Sequence, residues 1–179
     1  MQSWHVANVV THILIPMFIA ETYRRYISKK GFSRWYVFFA GLIGVAPDFD
    51  LFYTRYATGS FSMAYHREIT HSLLIPILLF LIGIAIYLLH SRKILKYEGW
   101  KVTYSLLFVA CIGLSAHTLF DGIDGMTRWF YPLSWTIELP NLILNKFRAG
   151  MIDGALMLAW LLYDEKLLND ILCFFRLKK

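Results

Sequence analysis

Charge is scarce in this sequence. Of 179 residues only 17% are charged, against 58% hydrophobic, and mean hydropathy is +0.50. A soluble domain carries about a quarter of its residues as charges and about 45–50% as apolar groups, so the deficit argues against an ordinary water-soluble globule. Cysteine is almost absent. Cys111 lies in an apolar run and Cys173 near the C-terminus, which gives neither a disulfide framework nor a Cys-x-x-Cys metal pair. Five prolines and eleven glycines nowhere gather into a linker, and no repeat or low-complexity tract divides the chain, so 1–179 reads as one integral membrane domain. The opening MQSWHVANVVTHILIP lacks a basic n-region and a small-residue cleavage site, and is expected to start the first membrane helix instead of serving as a removed signal peptide. The net charge of +6 is not concentrated in one stripe. Basic residues sit between apolar runs, where they serve as topology signals, so no nucleic-acid partner is expected.

What is present is a series of apolar runs. About 20 such residues cross the hydrocarbon core as a helix, and five segments qualify: Trp4 to Thr22, Trp35 to Tyr53, Ser72 to Leu89, Thr103 to Phe120, and the shorter Met151 to Tyr163. The expected fold is therefore all-α, a multi-pass transmembrane bundle of about five helices. Between the fourth and fifth lies DGIDGMTRWFYPLSWTIELPNLILNKFRAG, whose Trp, Tyr and Pro suit an interfacial aromatic segment. Arg24, Arg25, Lys29, Lys30 and Arg34 follow helix one; Arg92, Lys93, Lys96 and Lys101 follow helix three; Lys166, Arg176, Lys178 and Lys179 lie in the tail. The alternate segments hold fewer cations: Arg55, Arg67, Arg128, Lys146 and Arg148. By the positive-inside rule the N-terminus is expected outside and the C-terminus in the cytoplasm.

Ionisable side chains inside membrane helices are costly, so each is a functional-site hypothesis. Here they cluster: His12 in the first helix, Asp48 and Asp50 in APDFD, His66 and His71 in HREITHS, and His117 and Asp121 in HTLFD. At ~1.5 Å per residue, His12, Asp48 and His117 fall ~15–21 Å above the cytoplasmic helix ends, and His71 ~27 Å, a spread comparable to the error in helix ends. His117 and Asp121 share a helical face. His66 and His71 would diverge by ~140° on one helix, so a break is expected between them, with Thr70 as N-cap. Pro47 is expected to interrupt helix two, freeing Asp48 and Asp50 to converge. His5 and His90 read as interfacial. Taken singly, His12 could be a packing residue, Asp48 and Asp50 a turn, and His117 with Asp121 a plain hydrogen-bonded pair. Four histidines and three aspartates at one depth are hard to explain as packing.

Seven donors exceed one tetrahedral zinc and suit two ions ~3.5–4 Å apart, the arrangement of phosphoester hydrolysis. Zinc is the expected metal, with manganese or iron also compatible. Asp50 or Asp121 is expected to accept a proton from water, and Arg67 to hold an anionic phosphate.

The pieces THILIPMFIA, APDFD, HREITHSLL, SAHTLFDGID and WFYPLSW resemble, in this order, the YdjM-like family of membrane-bound metal-dependent hydrolases. The resemblance runs from about Val10 to Trp135, with Glu68 standing where many relatives have glycine. It implies a distant link to the helical, multi-metal folds of zinc-dependent phospholipase C and single-strand nucleases. The expected function is a metal-dependent hydrolase of the cell membrane, acting on a phosphate ester of a lipid or lipid-linked substrate from the extracytoplasmic side. Arg67 and Trp135 are its expected substrate-binding residues. Two other classes compete: a transporter of metal ions or protons, which would need a second polar station deeper in the bundle, and a metal-stabilised scaffold without an open coordination position.

Overall fold

The computed structural model describes residues 9–28, 31–59, 69–124, 128–133, 146–163 and 173. All regular structure among them is helical. Helix α1 spans Val9–Thr22 and continues into a π-helical turn, Tyr23–Ser28. Helix α2 is Arg34–Val45, opened by the Ser33 hydroxyl, which accepts from the Trp35 N–H. A 3₁₀ turn over Ala46–Phe49 leads into α3, Asp50–Thr58, which ends at Gly59 in the left-handed region, φ 73°. A second 3₁₀ turn, Ile69–His71, precedes α4, Leu74–Ser91. Helix α5 is Gly99–Asp124 and α6 is Lys146–Tyr163.

Three of these runs are long and apolar enough to cross a membrane: Arg34–Thr58, Leu74–Ser91 and Gly99–Ile123. The apolar part of α6, Gly150–Tyr163, is shorter, as the fifth expected helix is. Pro47 interrupts the second helix as expected: α2 gives way after Val45 to the 3₁₀ turn. Placed in the first turn of the 3₁₀ segment, it needs no N–H to continue a helical path, so α2 and α3 form one run with a tightened turn at the aspartates. The expected N-cap at Thr70 is corrected. Helix α4 starts at Leu74, with Leu73 at its cap position and no side-chain cap, because the Thr70 hydroxyl is engaged elsewhere.

Helix α5 is the centre of the bundle, packed against α4 on one side and α2 and α1 on the other, with α6 against α1. Among the described residues one cluster of buried apolar side chains is formed by Ala20, Val37, Ala40 and Val109, flanked by Met17, Ile43 and Trp160. Apolar side chains such as Leu78, Leu81 and Leu158 face outward, as expected where lipid is the solvent. Small residues set the helix spacing. At Gly44 a Cβ would lie 2.2 Å from the His12 carbonyl oxygen, so only glycine lets α2 meet α1 at that level.

Candidate metal centre

Four elements each deliver polar side chains to one point inside the bundle. His12 comes from α1, Asp48 from the 3₁₀ turn after α2, His71 from the turn before α4, and His117 with Asp121 from one face of α5. His71 and His117 are fully buried, and His12 and Asp121 are 2% and 1% exposed, a depth at which unpaired charge is very costly.

Donor geometry decides what they can do. His117 Nδ1 lies 2.7 Å from the Gly44 carbonyl; a carbonyl only accepts, so this nitrogen carries the proton. Thr70 Oγ1 donates to Asp50 Oδ2 at 2.6 Å and, its proton spent, accepts from His71 Nδ1 at 2.9 Å. In neutral rings both Nε2 atoms therefore present lone pairs, and they stand 2.9 Å apart. His71 Nε2 is also 3.1 Å from Asp121 Oδ2 and 3.7 Å from Asp48 Oδ1. His117 Nε2 is 3.5 Å from Asp48 Oδ1 and 3.7 Å from Asp121 Oδ2. Four acceptor atoms thus face one another, all within 4.8 Å. Acceptors at this range repel unless a proton or a metal cation lies among them. For zinc with ligands at ~2.0–2.1 Å, tetrahedral geometry separates ligand atoms by ~3.3–3.4 Å. The observed 2.9–3.7 Å brackets that edge, so the residues fit a divalent ion.

The outer contacts fit as well. Metal-bound histidines usually donate their second nitrogen to a carbonyl or carboxylate, which fixes tautomer and ring. His117 does so to Gly44, and His71 does so through Thr70 to Asp50. Asp50 Oδ2 stands 3.7 Å from His71 Nδ1, on the opposite side of the ring from Asp48. His12 stacks its ring on that of His117 at 4.0 Å, and its Nε2 lies 3.2 Å from Asp121 Oδ1. Its Nδ1 is buried without a hydrogen-bond partner among the described residues. Asp121 therefore faces His71 and His117 with one oxygen and His12 with the other.

The expected site residues His66, Arg67 and Trp135 lie outside the described residues. His90 sits away from the centre, its Nδ1 bonded to the Leu95 carbonyl at 2.8 Å. Sequence reading passed over two polar groups in helices. Asp153 of α6 takes a hydrogen bond from Thr11, next to His12. Glu21, 4% exposed, is held by Arg24 and Arg25 at 2.5–2.6 Å at the far end of α1. Both are visible as ionisable residues in apolar runs, the same signal that exposes the candidate ligands.

The sequence profile of a family described as YdjM inner membrane protein matches residues 8–169. Comparison with curated proteins and with solved structures gives no match.

Proposed function

The chain belongs to the YdjM inner membrane protein family, and from that premise we propose that it is a membrane-embedded metal-dependent hydrolase acting on a phosphate ester of a lipid or lipid-linked substrate. The observation that carries this reading is the convergence of the His71 and His117 Nε2 lone pairs with Asp48 and Asp121, each imidazole having its other nitrogen committed. Asp121 faces His71 and His12 with different oxygens, which supports two ions: Asp48, His71, His117 and Asp121 would hold one, and His12 with Asp121 would contribute to a second. Zinc suits this mix of imidazole and carboxylate, with manganese or iron as alternatives. His66 is proposed to complete the second position.

When bound, such ions acidify water toward a pKa of about 7 and polarise a phosphoryl oxygen. The chain's own residues do the rest. Asp50 is the proposed proton acceptor, because both oxygens of Asp121, the other expected candidate, are assigned to the ions. Asp50 is joined through Thr70 to His71 Nδ1, so a proton taken there changes the hydrogen bond that orients a ligand. Arg67 is proposed to hold the phosphate, since its planar fork matches two phosphate oxygens, and Trp135 to contact the substrate at the interface. The bundle around His71 and His117 excludes bulk water, which strengthens every charge interaction inside. The Lys and Arg asymmetry supports an opening toward the extracytoplasmic side.

One observation favours a second reading. Asp48, His71, His117 and Asp121 could close a tetrahedral site by themselves, and closed four-ligand sites are usually structural. Metal analysis and a screen of phospholipid and prenyl-phosphate substrates separate the two. Two ions with turnover support the hydrolase; one inert ion supports the scaffold.

A further inference from the structure

We propose that the segment Arg128–Leu133 is a strap that sets the geometry of the metal centre, with Ser72 and Trp129 as its positioning residues. The inference rests on the metal-site reading above. His71 lies in a three-residue 3₁₀ turn, too short to hold a ligand rigidly by its own hydrogen bonds. Its direction must come from the residues next to it in the chain and from their partners. Ser72, 1% exposed, points its hydroxyl at the Tyr131 carbonyl, 3.0 Å, and the Trp129 carbonyl, 3.3 Å. Leu73 donates its N–H to the same Trp129 carbonyl at 2.7 Å. Ser72 Oγ also accepts from the Leu74 N–H at 3.2 Å, so one side chain joins the strap to the first turn of α4.

The strap reaches the second ligand from the other side. Gly122 is the residue after Asp121 on α5, and a Cβ there would stand 2.4 Å from the Trp129 ring. Only glycine leaves room for the indole. Trp129 Nε1 is buried with no hydrogen-bond partner among the described residues, so the ring is held on Gly122 by shape. The residues directly after His71 and directly after Asp121 are therefore clamped by one short segment, and the atoms it brings together, His71 Nε2 and Asp121 Oδ2, lie 3.1 Å apart. The strap belongs to the aromatic stretch that the sequence places at the membrane interface, so it carries the set of that interface to the metal.

The test uses the full chain purified in detergent, titrated with Zn²⁺ against a chelator and with Co²⁺ as a spectroscopic probe. Ser72→Ala and Gly122→Ala should each weaken ion affinity ten- to hundredfold, the range for losing a partner that orients a ligand. They should also alter the Co²⁺ ligand-field spectrum; metal-free Ser72→Ala should melt as the wild type does, while Gly122→Ala, whose methyl meets the indole, should melt lower. Gly122→Ala and Trp129→Leu act on one contact, so the double variant should lose no more than the worse single one. If Gly122→Ala does not fold, Ser72→Ala and Trp129→Phe carry the same comparison. Wild-type affinity and spectrum in the variants would overturn the strap alone, as would a loss of affinity in Ser72→Ala matched by an equal loss of metal-free stability. A wild-type chain that binds neither ion would overturn the strap and the metal centre together.

Discussion

His117 shows how much one side chain is asked to do. Its Nδ1 proton is fixed by the Gly44 carbonyl, its ring carries that of His12, and its free lone pair faces His71 and two carboxylates. Removing it should therefore cost more than one ligand: His117→Ala, like Asp48→Ala, is expected to lose bound metal and abolish hydrolysis, as read by elemental analysis and by turnover of the substrate found in the screen. Arg67→Ala should keep its metal, because a guanidinium has no lone pair to coordinate. Its turnover should fall roughly ten- to hundredfold, since one charge-assisted contact to phosphate contributes about 1.5–3 kcal/mol. Thr70→Val, which breaks the link from His71 to Asp50, should weaken metal affinity ten- to hundredfold and leave the fold intact. The candidate ligands are legible in the sequence because histidine and aspartate have no inexpensive reason to lie in apolar helices. Thr70 misleads for a physical reason too. A threonine before a helical run is an ordinary cap, and only the fold shows that an aspartate twenty positions earlier claims its proton.

At the scale of elements, the centre depends on how closely three helices approach. Gly44 carries two duties, giving α1 backbone room at His12 and giving His117 its acceptor. In Gly44→Ala the methyl meets the His12 backbone at 2.2 Å, and backbone cannot move aside as a flexible side chain can. Overpacking of this kind destabilises by about 1–3 kcal/mol, so the variant should melt at a lower temperature and bind metal less tightly. The long helices are readable from length and apolarity alone, and α4 and α5 lie close to their expected positions. The interruption at Pro47 is readable too, but not its form. Proline excludes itself from a helix interior but not from its first turn, and sequence cannot say which of these it occupies. Asp48 and Asp50 consequently approach His71 from its two sides, Asp48 at Nε2 and Asp50 at Nδ1.

The whole molecule is an all-helical membrane protein of the YdjM inner membrane protein family whose buried polar groups, among the described residues, gather mainly at one level. A transporter needs a path between two sides, and Glu21 is the polar group at the far end of α1, already neutralised by Arg24 and Arg25. That arrangement fits an anchor at the membrane edge better than a relay. The orientation rests on the cation asymmetry: cysteines placed at Ser28 and Thr58 should react with an impermeant reagent from opposite sides of the membrane, Thr58 from outside, and labelling of both from one side would contradict the topology. Everything proposed for function depends on the four acceptors that converge between α1, α2, α4 and α5. The most direct measurement is the metal content of the purified chain, compared with that of His71→Ala and His117→Ala prepared identically. The account predicts two divalent ions per wild-type chain, held by nitrogen and oxygen ligands in X-ray absorption, and near-complete loss in both variants. A wild-type chain that takes up no ion on titration, or variants that retain the full complement, would contradict it.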